Sequence, residues 1–290
     1  MTEAILQLEE ASFCYPGNIT ALDGLSAVFA HNRRSAVLGR NGSGKTTLFS
    51  LLNGLQRPRQ GRVLFEGEPV RYDRQGLLKL RQAVGMVFQD PNCQLFSASI
   101  YEDISFGPLN LGLPEVEVRT RVERALWQMK LEGMEHRPTH SLSFGQKKRA
   151  CIAGVLAMQP KVLILDEPFA GLDPCMAAEF MVILEELYRE GATLIIATHD
   201  LDLAYAWADD SVILQDGRLL AQGTAEDVLQ LEAVHAELGA EPLIAQFSRL
   251  LAESGITGSS GGSPPRSRGD LQKLLQAKKV DVTDVSGRNQ

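Results

Sequence analysis

The stretch Gly39-Arg40-Asn41-Gly42-Ser43-Gly44-Lys45-Thr46 has the form G-x-x-x-x-G-K-[ST], the spacing of a complete phosphate-binding loop. The apolar run Ser35-Ala36-Val37-Leu38 precedes it and Thr47-Leu48-Phe49-Ser50-Leu51-Leu52 follows, which predicts strand, loop and helix in that order. Three glycines allow the backbone to wrap an anion closely, with successive N–H groups turned inward. The helix adds its unpaired N–H groups and the positive end of its dipole. Lys45 has the reach for the β- and γ-phosphates of a nucleotide, and the Thr46 hydroxyl suits Mg²⁺. A glycine-rich turn can match this pattern by chance; the flanking strand and helix argue against that here.

A second stretch, Val162-Leu163-Ile164-Leu165-Asp166-Glu167, is an apolar strand ending in two carboxylates. Ligands in open α/β sheets sit at the carboxyl ends of strands. Asp166 is then placed to orient the Mg²⁺ shell, and Glu167 to polarise a water for attack on the γ-phosphate. A strand ending in Asp-Glu is common by itself, and only the phosphate loop gives it this meaning.

The 290 residues, 44% hydrophobic and 22% charged, suffice for a substantial core in one or two domains. The longest apolar runs, 161–165 and 193–197, are strand-sized and far too short to cross a bilayer. Met1-Thr2-Glu3-Ala4 lacks the basic flank and apolar core of a signal peptide, so a cytoplasmic protein is expected, one able to dock on a membrane protein. A net charge of −7 opposes a nucleic-acid-binding surface, and no nucleic-acid partner is expected. Cys14, Cys93, Cys151 and Cys175 form no C-x-x-C pair and read as reduced thiols.

Strands are expected at 5–8, 27–30, 61–66, 84–88, 161–165 and 193–197, and helices at about 115–130, 150–158 and 177–189. This alternation indicates an α/β fold with a mostly parallel sheet covered on both faces. Residues 211–215 and 218–221 read as a hairpin turning through Asp216-Gly217. Residues 233–253 allow one or two helices broken near Gly239–Pro242. The Gly, Ser and Pro of 255–269 read as a flexible linker, followed by a short helix near 271–279.

The third element is Leu142-Ser143-Phe144-Gly145-Gln146, which alone is a helix start capped by Ser143. About twenty residues ahead of the Asp-Glu pair, it resembles the L-S-G-G-Q signature of ATP-binding-cassette (ABC) ATPases, with Phe144 in place of the first glycine. Other segments resemble the remaining elements of that family. Tyr15 resembles the aromatic that stacks on adenine, although a strand tyrosine alone is more often packing. Gln89 resembles the glutamine that senses Mg²⁺ and the attacking water. Asp173, in Gly171-Leu172-Asp173-Pro174, resembles the loop that touches a partner subunit. His199, in Ala197-Thr198-His199-Asp200, resembles the switch histidine at the γ-phosphate.

The resemblance implies an ABC-type P-loop NTPase: a RecA-like sheet with an antiparallel β subdomain and an α-helical signature subdomain. Its domain would span 1–232, with a helical extension at 233–254 and a linker and tail at 255–290. ATP would be held by Tyr15, Gly39, Arg40, Asn41, Gly42, Ser43, Gly44, Lys45, Thr46 and Thr47, and Mg²⁺ by Thr46, Gln89 and Asp166. Glu167, His199, Gln89 and Lys45 would carry catalysis. Ser143, Phe144, Gly145, Gln146 and Asp173 would act in trans, in a head-to-tail dimer sandwiching two ATP molecules.

The stretch Gln89-Asp90-Pro91-Asn92-Cys93-Gln94-Leu95-Phe96, with Tyr101–Asn110, resembles the ATPase subunits of energy-coupling-factor (ECF) importers. Residues 72–78, 146–158 and 202–209 resemble their cobalt/nickel branch, the CbiO-type subunit. Vitamin importers remain the alternative, and a soluble non-transport ABC ATPase a further one. The importer reading implies a transmembrane coupling subunit, a substrate-binding membrane subunit and a peripheral position on the cytoplasmic face of the membrane. The surface from Gln89 to Asn110 would hold the coupling subunit through Leu95, Phe96 and Ile100, unless these belong to the core. Residues 233–253 would dimerise, or pack back on the cassette. No cargo-metal site is expected, since the five histidines are scattered and His136 and His140 straddle Pro138.

Overall fold

The computed structural model describes residues 3–253, 265–267 and 269–273. Its centre is a six-stranded sheet in the order β10-β9-β3-β8-β7-β6. These strands are β3 (Arg34–Leu38), β6 (Val84–Val87), β7 (Val162–Asp166), β8 (Thr193–Ala197), β9 (Asp210–Gln215) and β10 (Arg218–Thr224). All neighbours are parallel except β10, which turns back on β9 through Asp216-Gly217 as the sequence predicts. The central strands β7 and β8 are buried at every position, hence their unbroken apolar runs.

A second, antiparallel sheet has the order β2-β1-β4-β5: β1 (Ala4–Tyr15), β2 (Ile19–Ala30), β4 (Gln60–Phe65) and β5 (Glu68–Pro69). The short runs expected at 5–8 and 27–30 are parts of one long hairpin. Register shifts along β1 and β2 break the two-residue alternation that would otherwise reveal such lengths. The helix α1 (Lys45–Leu52) lies between the sheets, with Leu48, Phe49, Leu51 and Leu52 fully buried.

Strand alternation separates two cores. Val37, Ile164 and Ile195 face α1 and the antiparallel sheet, packing with Leu6, Leu8, Leu25 and Phe29. Ala36, Leu38, Leu163, Leu165 and Ile196 face the other side. There α6 (Pro174–Arg189) lays Phe180, Ile183, Leu184 and Leu187 on the sheet. The same core continues into a helical layer formed by α3 (Ile100–Asn110), α4 (Glu115–Gln128) and α5 (Phe144–Leu156). Each fully buried Leu, Ile or Phe contributes about 1.5–3 kcal/mol relative to exposure.

The helix expected at 150–158 begins six residues earlier. Ser143 caps it, its Oγ accepting from Gln146 N at 3.3 Å while Gln146 Oε1 accepts from Ser143 N at 3.0 Å. An unpredicted helix, α2 (Arg74–Ala83), starts at Asp73, whose carboxylate accepts from Gly76 N at 2.9 Å.

Past α7 (Leu201–Trp207) and the single-turn α8 (Ala225–Val228), the extension forms α9 (Glu232–Leu238) and α10 (Leu243–Glu253), broken where Gly239 has a φ of 74°. Val234 and Ala245 join the cassette's core, with Leu238 and Ile244 packed against it. Leu243, Phe247 and Leu250 stay about half exposed along one face of α10. Of the two alternatives the sequence allows, the extension packs back on its own cassette, and it also leaves an apolar stripe exposed. Within the stretch read as linker and tail, Pro265 is buried and Arg266 donates to the Tyr205 and Ala208 carbonyls at the end of α7. The helix expected at 271–279 is seen at 269–273, and the remainder lies outside the described residues. No helix among the described residues is long and apolar enough to cross a membrane.

Candidate functional site

The carboxyl ends of β3, β7 and β8 come level, because Ala197 pairs with both Val37 and Asp166. A cleft of about 390 Å³ opens at these ends, lined by Tyr15, Asn41, Gly42, Gly44, Lys45, Thr46, Thr47, Gln89, Asp166, Glu167 and His199. Residues from five separate segments, singled out on different grounds, therefore share one space.

The loop at its floor requires its glycines. Gly39 has a φ of 152°, and a Cβ there would approach the Leu214 carbonyl to 2.5 Å. Gly44 has a φ of 106°, and a Cβ would meet Leu22 Cδ2 at 2.7 Å and the Ala21 carbonyl at 2.8 Å. The N-terminus of α1 follows directly, where the first-turn N–H groups lack intrahelical partners.

Lys45 folds back within this loop, donating to the Gly39 and Arg40 carbonyls at 2.7 and 3.2 Å. Burial lowers its pKa, with Glu167 and then Asp166 opposing the shift. The Thr46 hydroxyl donates to Asp166 Oδ2 at 2.7 Å. Burial raises the Asp166 pKa, against the pull of that hydrogen bond and of Lys45. Ser43 Oγ is buried without a hydrogen-bond partner, packed against Gly39 behind the cleft lining. The hydroxyl of Thr46 and the carboxylate of Asp166 are hard oxygen donors fitted to Mg²⁺.

Glu167 follows β7 with a φ of 47°, its N–H donating to the Ala197 carbonyl at 3.1 Å. This left-handed backbone turns the chain so that Glu167 Oε2 meets His199 Nδ1 at 2.9 Å. The Glu167 side chain is 12% exposed and that of His199 78%. Gln89 lies two residues beyond β6, level with the end of β7 because Val87 pairs with Leu165. Gln94 folds under the following loop, accepting from Phe88 N at 3.1 Å. Tyr15 stands edge-on to Phe13 with centroids 5.0 Å apart, and its hydroxyl lies 3.1 Å from Thr47 Oγ1.

Arg40 does not line this cleft; with Gly39 and Asn41 it borders an adjoining pocket toward Leu201 and Leu238. Ser143, Phe144, Gly145, Gln146 and Asp173 lie outside both. Ser143 and Asp173 serve locally as caps of α5 and α6, Asp173 accepting from Met176 N at 2.9 Å. Gly145 packs against the end of the Met176 side chain, which would have to swing away to admit a Cβ. Phe144 is 41% exposed and lies against Gly171, where a Cβ would come within 2.8 Å of its ring. Lys148, read from sequence only as part of a basic run, is 4% exposed. Its ammonium donates to the carbonyls of Glu167, Pro168 and Ala170, a role no linear signal announces.

The surface after Gln89 differs from expectation. Ile100 is fully buried and Leu95 packs against the core, so neither forms an exposed face. Phe96, Phe106 and Leu109 are exposed instead, Phe96 and Phe106 meeting edge-to-face at 4.7 Å between centroids. Helical spacing places Phe106 and Leu109 on the side of α3 opposite Ile100 and Ile104.

A family model described as ABC transporter matches residues 22–170. The chain is 46% identical over 255 residues to the energy-coupling factor transporter ATP-binding protein EcfA2 of Clostridium perfringens, covering 87% of this chain and 90% of that protein. It superposes with a TM-score of 0.73 on CbiO1 of Clostridium perfringens, described as part of the ABC transporter complex cbiONQ, at 45% identity over 87% of this chain and 98% of that one. A dimeric ATP-binding cassette in a post-hydrolysis state with ADP and phosphate gives a TM-score of 0.69 at 26% identity, over 76% and 98% of the two chains.

Proposed function

The chain belongs to the ABC transporter family of ATP-hydrolysing cassettes, and from that premise we propose that it is the motor subunit of an energy-coupling-factor importer for cobalt or nickel ions. One observation carries the catalytic part. Lys45, the Thr46–Asp166 pair, Gln89 and the Glu167–His199 pair line a single cleft at a helix N-terminus.

Phosphates entering there meet N–H groups of the loop and α1, and Lys45 exchanges its two carbonyl partners for phosphate oxygens. Thr46, Gln89 and Asp166 would hold Mg²⁺, which supplies positive charge to the phosphate oxygens when bound. Glu167 takes a proton from the attacking water as the new oxygen–phosphorus bond forms and the bond to the β–γ bridging oxygen breaks, leaving ADP and phosphate. His199 orients that carboxylate by donating from Nδ1. A neutral imidazole has one donor, so donating to the γ-phosphate as well requires a protonated ring or release of Glu167. Tyr15 is the surface for adenine, at the cleft edge beside Thr47.

Ser143–Gln146 and Asp173 lie outside this cleft, which supports a head-to-tail dimer in which each signature completes the partner's site. The exposed stripe of α10 supports a second contact between copies, and the Phe96–Phe106 face a docking place for the transmembrane coupling subunit. Cargo recognition then belongs to a membrane partner, with this subunit peripheral on the cytoplasmic side. The cobalt/nickel cargo rests on the likeness of residues 72–78, 146–158 and 202–209 to that branch.

Co²⁺ and Ni²⁺ uptake by cells lacking this chain tests the reading. Wild type should restore uptake and Glu167→Gln should not. Unaffected metal uptake alongside lost vitamin uptake would transfer the cargo to a vitamin.

A further inference from the structure

Lys148 is a buried cation whose contacts suit neither an ion pair nor a surface role. Its ammonium donates to the carbonyls of Glu167 at 3.1 Å, Pro168 at 2.8 Å and Ala170 at 2.7 Å. Three donors meet three acceptors, which exhausts the hydrogen-bonding capacity of the group. The acceptors belong to the turn leaving β7, where Glu167 holds a φ of 47°. Left-handed backbone in a non-glycine residue is strained and persists only where its surroundings hold it. On the other side of that turn, Glu167 N–H is bound to the Ala197 carbonyl. The Phe144 ring lies 5.3 Å from the same ammonium and packs on Gly171, closing the pocket from outside. The helix that carries Lys148 is anchored in turn to the segment after Gln89, through Lys147 to Asn92 at 2.8 Å.

We propose that Lys148 is a positioning residue: its ammonium fixes the left-handed turn at Glu167 and thereby the aim of the catalytic carboxylate, tying the signature helix to the hydrolytic centre of the same chain. This rests on Glu167 acting as general base. The physical reason is geometric. Without the clamp, three desolvated carbonyls lack a donor, and the turn relaxes toward a backbone that draws Oε2 away from His199 and the water. Phe144 belongs to the same arrangement, its ring covering the cation where a glycine would leave it open to solvent.

The test is hydrolysis of MgATP by the full chain, with ATP affinity measured separately. Lys148→Met keeps the apolar stem and removes the donors. It should lower kcat about tenfold or more, while ATP Kd moves less than about threefold. Lys148→Gln, with two N–H donors on a shorter stem, should recover part of that loss. In a Glu167→Gln background Lys148→Met should cost nothing further, because the group it positions has gone. A full multiplicative loss in that background overturns the proposal, and so does a Lys148→Met chain turning over within about threefold of wild type. Should Lys148→Met fail to fold, Lys148→Leu, likewise without donors, decides by the same two criteria. Near-normal turnover by Glu167→Gln alone would mark failure of the general-base reading, whereas a loss confined to Glu167→Gln marks failure of the Lys148 proposal alone.

Discussion

Glu167 and Lys45 line one cleft, yet only the loss of Lys45 should weaken nucleotide binding. Glu167→Gln keeps the phosphate cradle and loses the base, so MgATP should bind normally while turnover falls roughly 10²–10⁴-fold. Steady-state phosphate release with parallel ATP titration checks this, and near-normal turnover removes Glu167 from catalysis. Lys45→Ala deletes a charge-assisted phosphate contact worth about 1.5–3 kcal/mol. ATP affinity should fall about tenfold to a hundredfold, which calorimetry reads directly.

Lys148 adds a pH signature at the same scale. Burial lowers its pKa to about 8, with Glu167 and then Cys151 pulling the other way. Above that pH the amine keeps two N–H donors for three carbonyls, so kcat should decline through about pH 8 to 9, and Lys148→Gln should flatten that limb. Stability should move in the opposite direction. An unfolded chain still binds the proton between about 8 and the ordinary lysine value, so this group favours the folded state as pH rises through that window. Falling turnover with undiminished stability would separate misplacement of Glu167 from unfolding.

Elements were legible where chemistry and periodicity coincided, and obscure where they did not. The β3–α1 turn could be read because a glycine pattern, a strand run and a helix run share one place. The β9–β10 hairpin was equally plain from Asp216-Gly217. The α2 helix was not, because only Leu80 along its length is buried, and Leu78 stands exposed among Arg74, Lys79 and Arg81. The start of α5 is marked by the Ser143 cap, but Lys147, Lys148 and Arg149 read as a polar run although Lys148 lies inside. The sequence groups Ile100 with Leu95 and Phe96 on a docking surface, but the helix turns it into the core while Phe106 goes outward. The docking prediction therefore moves to Phe96 and Phe106. Charged residues at both should abolish coupled transport, and the isolated subunit's ATPase activity should stay within about twofold, as exposed substitutions cost little stability. Collapse of that activity with misfolding would return both rings to a structural role.

Taken whole, the chain carries one copy of each motif and places them in two groups, one lining the cleft and the other outside it. Truncation after residue 232 removes both the packed face of α9 and α10 and the stripe containing Leu243 and Phe247. Nucleotide-free dimers should weaken on truncation, and Leu243→Lys with Phe247→Lys should reproduce that effect without exposing Val234 or Ala245. Light scattering behind a size-exclusion column reads both, and unchanged dimers would assign the stripe elsewhere.

Sites shared between two chains should let two differently crippled chains complement each other. Lys45→Ala cripples a phosphate loop, and Ser143→Arg cripples a signature while costing about 1 kcal/mol as a lost cap. Each chain alone should be nearly inactive. Mixed in equal amounts, random pairing gives half heterodimers with one intact site of two, so about a quarter of wild-type turnover should return. If each signature instead served the phosphate loop of its own chain, every site would remain defective and the mixture would be as inactive as its parts.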